Sequence, residues 1–224
     1  MADTYQHVQD QTHEMPISMR YLLGGSLSEG FAGAAAVAIS IIALADGGST
    51  IMQSIATILV GAALMFEGGA IAARFTNLLQ ETSGGKLNSM ELGAGMTAQL
   101  IGGMGVLTLG ILALIGIVPV ALSSVAAIIA GGAVLLGSGA TARMNAVKIE
   151  RSGETEEARG LAHSAVSSAA GMQLFIGIGA IVLGILAVLS IDPGHLVSIA
   201  MLAVGFSVLM GGAALSGLSV MFRH

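Results

Sequence analysis

Polar residues interrupt this chain at long, regular intervals, and the stretches between them are largely apolar or Gly for more than twenty positions at a time. A helix needs roughly 20 such residues to cross a bilayer. Six spanning helices are predicted, over residues 19–45, 50–79, 90–117, 120–149, 160–191 and 195–222. Three connections are tight turns: Asp46-Gly47-Gly48-Ser49, Val118-Pro119 and Asp192-Pro193-Gly194. The other two, 80–89 and 150–159, are polar, and the second carries the acidic cluster Glu154, Glu156 and Glu157, which reads as a solvated loop. Polar side chains within the helices gather on the side of the polar connections, and the turn-side halves read as almost wholly apolar.

Internal repetition changes this picture from six helices to three hairpins. Residues 97–143 laid on 171–217, an offset of 74, share 19 identities in 47 positions, among them Gly110-Ile111-Leu112-Ala113 with Gly184-Ile185-Leu186-Ala187 and Pro119 with Pro193. An offset of 70 brings in the first hairpin, pairing Ser54 with Ser124, Gly61 with Gly131 and Gly69 with Gly139. The expected fold class is therefore an all-α polytopic membrane protein. Its six transmembrane helices form three tandem parallel hairpin repeats at about 19–79, 90–149 and 160–222, behind a hydrophilic tail at 1–18. Glycines at heptad spacing, Gly103 and Gly110, Gly177 and Gly184, suit close helix contact.

Composition supports the membrane setting. Only 9% of the 224 residues are charged and 54% are hydrophobic, against roughly 25% charged in a soluble domain. There is no Cys, which removes disulfides and thiolate sites, and the net charge of −5 gives no reason to expect nucleic acid. All eight basic residues, Arg20, Arg74, Lys86, Arg143, Lys148, Arg151, Arg159 and Arg223, fall on the side of the termini and polar connections. The positive-inside rule then makes both termini cytoplasmic; the expected location is the inner membrane of a prokaryote.

The chemistry-bearing candidates are few. Glu29, Gln99 and Gln173 share one register of the first, third and fifth helices. Glu29 stands 19 residues before Gly48 and Glu67 19 residues after it, at equal depth on antiparallel neighbours. If they face one another they share a proton or hold a cation; alternatively Glu67 pairs with Arg74, two turns on. The two Gln also read as interhelical hydrogen-bond glue. His195 keeps a pH-sensing role open, and His7, His13 and Glu14 sit on the tail without metal spacing. No cofactor, no metal and no catalytic constellation is expected, so the chain does not read as an enzyme.

A Gly-rich helix followed by one with a buried carboxylate resembles the proteolipid hairpins of rotary ATPases. Gly137 and Gly211 stand where two more carboxylates would be needed, and that resemblance is set aside. Tandem hairpins with the runs Gly110 to Pro119 and Gly184 to Pro193 resemble small six-helix bacterial membrane proteins of the acid-resistance HdeD type. The resemblance implies a stress-protective membrane component and carries over no catalytic motif. The expected function is accordingly a non-enzymatic structural or interaction component whose partners are the lipid bilayer and a second copy or another membrane protein. The competing reading is a small cation or proton pathway through Glu29 and Glu67.

Overall fold

In the computed structural model the described residues form six helices in order: α1 (Ile17–Ala45), α2 (Thr50–Glu81), α3 (Ser89–Leu114), α4 (Pro119–Arg151), α5 (Glu156–Val188) and α6 (Pro193–Met221). The structure describes the backbone of residues 17–81, 89–151 and 156–221 and, within them, side chains chiefly of residues 30–70, 97–139 and 171–211. The described residues contain no strand. The tail at 1–16 and the connections at 82–88 and 152–155 lie outside them, as does Glu154.

Helix boundaries follow local chemistry more closely than hydropathy. α3 ends at Leu114, three residues before the apolar run does, because Gly116 takes the left-handed conformation (φ 89°). There its N–H donates to the Ala113 carbonyl (3.0 Å), and the Ile117 N–H to that of Leu112 (3.1 Å). This paired closure satisfies carbonyls that the helix end would otherwise leave open. It recurs at Ser190 and Ile191 (φ 63° at Ser190), which bond Ala187 and Leu186, and at Gly47 and Gly48, which bond Leu44 and Ala43. Pro119 and Pro193 open α4 and α6 at the position where a missing N–H costs nothing. α2 opens without Pro, its first bond running from the Gln53 N–H to the Ser49 carbonyl (3.0 Å). The acidic residues Glu156 and Glu157, expected in a loop, are instead the first two residues of α5, where carboxylates favour a helix N-terminus.

The helices close into a ring, each touching the next in chain order and α6 returning to α1, while α2, α4 and α6 also touch one another at the centre. Buried positions recur on the central helices at spacings of three and four, among them Gln53, Ala56, Val60, Ala63 and Glu67 on α2; Ser123, Ala126, Ala130 and Ala133 on α4; and Val197, Ala200, Val204 and Ser207 on α6. That spacing is the seam of a supercoiled bundle. The outer helices present the opposite character. Phe31, Ile101 and Phe175, at matching places on α1, α3 and α5, are 79%, 65% and 76% exposed. An exposed apolar band of that kind suits hydrocarbon and not water.

Glycines set the distance between helices. A Cβ added at Gly103 would stand 2.8 Å from the Gly61 carbonyl oxygen, one at Gly177 would stand 2.8 Å from that of Gly131, and one at Gly33 would stand 3.1 Å from that of Gly205. Each outer helix thus meets an inner helix of the neighbouring hairpin backbone to backbone. Without a hydrophobic force between helices in lipid, such contact is a principal source of association. Five described helical stretches are long and apolar enough to cross a membrane: Thr50–Ala70, Thr97–Leu114, Pro119–Gly139, Gly171–Val188 and Pro193–Gly211. α1 adds the shorter apolar stretch Gly30–Ala45. These are the features of a multi-pass membrane protein.

Candidate functional site

Two levels of buried polar groups sit inside the bundle. The level nearer the polar connections holds Glu67 on α2, with 6% of its surface exposed, and Gln99 on α3, with 1%. Gln99 crosses from its own helix into the space of two others. A Cβ at Gly68 on α2 would meet the Gln99 Cβ at 3.2 Å, and one at Gly137 on α4 would collide with the Gln99 carboxamide. Gly137 occupies in its hairpin the place that Glu67 occupies in the first, so a side chain at one matched position is exchanged for room at the other. The Gln99 Oε1 has no hydrogen-bond partner among the described residues, and neither have the buried hydroxyls of Ser40, Ser123 and Ser207. A buried acceptor left open costs roughly 1–3 kcal/mol.

Gln173, matched to Gln99, is half-buried on α5. Glu29 lies on α1 and Arg74 on α2, but both side chains fall outside the described residues, so the expected Glu29–Glu67 approach and the Arg74 alternative do as well. Of the predicted polar cluster, Glu67 and Gln99 are buried among the described residues.

The second level lies at the turn end, where the helices were expected to be almost wholly apolar; that expectation is corrected. Gln53, Ser54, Thr57, Ser123, Ser124 and Ser198 are all buried there, none more than 1% exposed. Ser54, Ser124 and Ser198 occupy one matched position on the three inner helices, and each donates to the carbonyl four residues back: Thr50 (2.7 Å), Val120 (2.7 Å) and Gly194 (2.9 Å). Such back-bonding hides a hydroxyl inside its own helix, so these serines act as small packing residues. Thr57 does the same toward Gln53 (2.7 Å).

Gln53 behaves differently. Its Nε2 donates both to the Gly48 carbonyl (2.8 Å) and to the Gly194 carbonyl (2.7 Å). One side chain therefore ties the first turn to the third across the bundle, and a Cβ at Gly48 would stand only 2.8 Å from Gly194 backbone atoms. The signal in the sequence was a carboxamide three residues into an apolar helix. Its partner lies 141 positions away, so no local spacing points to it.

Beyond this clamp, the exposed Asp192 accepts a hydrogen bond from His195 Nδ1 (2.8 Å), and that bond, aided by the imidazole's charge, holds the carboxyl below its ordinary value. A depressed carboxyl pKa adds stability that is complete above about pH 4 and is lost as pH falls through the folded value. Asp192→Asn is therefore expected to lower the thermal midpoint slightly at pH 6 and to match the parent in strong acid, as read by melting in detergent at a series of pH values. No protein family, curated protein or solved structure matches the chain.

Proposed function

We propose that the chain is a non-enzymatic structural or interaction component of a prokaryotic cytoplasmic membrane. In this reading it is built from three tandem hairpin repeats that span the bilayer six times with both termini cytoplasmic. The repeat reading is supported by the three identical turn closures, the matched serines Ser54, Ser124 and Ser198, and the three inter-hairpin glycine contacts. The placement of every Lys and Arg on one side supports the orientation. A stress-protective role is what the resemblance to acid-resistance proteins of the HdeD type adds.

The observation that carries the scaffold reading is the filled bundle axis. Ala56, Val60, Ala63, Ala126, Ala130, Val197, Ala200 and Val204 are 0% exposed, and Gln53 bridges the turn end. A water route along that axis would require the inner helices to part. Glu67, buried at the polar-connection end near Gln99, favours the second reading, a cation or proton pathway with Glu29. Proteoliposome flux separates the two. With the wild-type protein, proton, sodium and potassium leakage is expected to equal that of empty liposomes, and Glu29→Gln and Glu67→Gln are expected to leave it unchanged. Flux that either substitution abolishes would replace the scaffold by the pathway.

A further inference from the structure

Hairpin meets hairpin at three joints, α2 with α3, α4 with α5 and α6 with α1. The first two lie between helices that follow one another in the chain. The third brings the two ends of the bundle together, and no short connection holds one partner beside the other. Its packing differs as well. A Cβ at Gly61 would collide with the Leu107 nitrogen and one at Gly131 would stand 2.9 Å from the Ile181 nitrogen, but at the matched place one at Gly205 would stand 3.4 Å from the Val37 nitrogen. Nearer the tight turns, Cβ atoms at Gly110 and Gly184 would stand 2.9 and 3.0 Å from the Ile58 and Ile128 nitrogens. The matched residues of the third joint are Ser40 and Leu202. Leu202 has the volume of the two isoleucines, so Ser40 is the change: a side chain occupies a position where the other joints carry only Gly. Its buried hydroxyl has no hydrogen-bond partner among the described residues. On either side of this level the third joint is tight. A Cβ at Gly33 would stand 2.8 Å from the Leu209 nitrogen, and one at Gly48 2.8 Å from the Gly194 backbone.

We propose that the α6–α1 joint is where the ring opens and that Gln53 is its latch: the first and third hairpins part at their turn ends while the other two joints stay closed. The latch sits at this joint and at no other. Gln53 donates to the Gly194 carbonyl (2.7 Å) and so links the first hairpin to the third. The matched residues make no such link, since the Ser123 hydroxyl has no partner among the described residues and Val197 has no polar group. Closing this joint gains less than closing either of the others. The Ser40 hydroxyl is buried without a partner, a cost that parting recovers once water reaches it. The Gln53 bond and the Gly48–Gly194 contact offset that cost from the turn end. The inference rests on the ring and on the matching of the hairpins, and is independent of the choice between scaffold and ion pathway.

The test measures distances between nitroxide labels by double electron–electron resonance on the full-length protein in bilayer discs of phosphatidylethanolamine and phosphatidylglycerol. Asp46, Ile117 and Ile191 are exposed, one in each turn, and replacing them by cysteine in pairs reports the three joints in turn. The Asp46–Ile191 pair, across the α6–α1 joint, is expected to show a second, longer distance that the Asp46–Ile117 and Ile117–Ile191 pairs lack. Gln53→Leu is expected to raise the population of that longer distance roughly fivefold, the equivalent of one net hydrogen bond of about 1 kcal/mol. Unchanged distances for the other two pairs in the same variant show that it remains folded. Ser40→Gly, which gives this joint the glycine of the other two, is expected to lower that population. Single narrow distances for all three pairs, in the parent and in Gln53→Leu alike, overturn the proposal and leave the ring intact. Equal broadening of all three pairs in Gln53→Leu also overturns it, because Gln53 then holds the whole turn end and not one joint. So does a long-distance population that Ser40→Gly leaves unchanged.

Discussion

Adding one methyl group at Gly131 is expected to destabilise the protein by about 3 kcal/mol, the upper end of overpacking costs, while the same methyl at Gly132 is expected to be neutral or stabilising. A Cβ at Gly131 would stand 2.6 Å from the Gly177 carbonyl oxygen and 2.9 Å from the Ile181 nitrogen. Those are backbone atoms of α5, so relief requires the helices to separate along their length. At Gly132 nothing lies within 4 Å, and an Ala inside a helix is favoured over Gly by roughly 0.5–1 kcal/mol. Two adjacent residues of one helix thus give opposite signs. Reversible unfolding of Gly131→Ala and Gly132→Ala in mixed micelles measures both. Equal effects would remove the glycine contact as the element that joins hairpin to hairpin.

Replacing Gln53 is the second large effect. Gln53→Leu removes two hydrogen bonds made by a buried side chain to part-buried carbonyls. The Gly194 carbonyl keeps Ser198 as a donor, so the Gly48 carbonyl bears most of the loss, and the expected cost is about 2 kcal/mol. Gln53→Glu is expected to cost more, and increasingly so as pH rises. A protonated carboxyl still donates one bond, whereas a carboxylate faces two carbonyl oxygens with nothing to donate. Melting temperatures across pH 4 to 9 check the sign, and a Gln53→Glu variant as stable at high pH as at low would contradict the assigned donor geometry.

Hairpins, turns and heptad glycines were legible because each is local: a run of apolar residues, a Pro or a Gly-Gly, a spacing of seven. What the glycines touch was not. Gly103 and Gly177 meet α2 and α4 of preceding hairpins, and nothing in a single sequence says which neighbour a small face will choose. The end of α3 was misplaced because Ile115 and Ile117 continue the apolar pattern, although Gly116 between them takes a left-handed conformation. Glu67 and Gln99 stood out because ionisable and carboxamide side chains are costly in lipid. Gln53 is as well buried, but its position next to a turn disguised it.

The central claim, three hairpins crossing one membrane with all tight turns on the same face, is tested most directly by thiol labelling of a chain that has no Cys of its own. Gly48 and Gly194 are unsuited to substitution because their backbones pack together; Asp46, Ile117 and Ile191 are exposed, one in each turn. Single cysteines at these three positions are expected to react with a membrane-impermeant maleimide on intact cells. Cysteines at Ser83 and Gly153 are expected to react only after permeabilisation. A turn cysteine protected while the other two react, or labelling of Ser83 from outside, would contradict the arrangement.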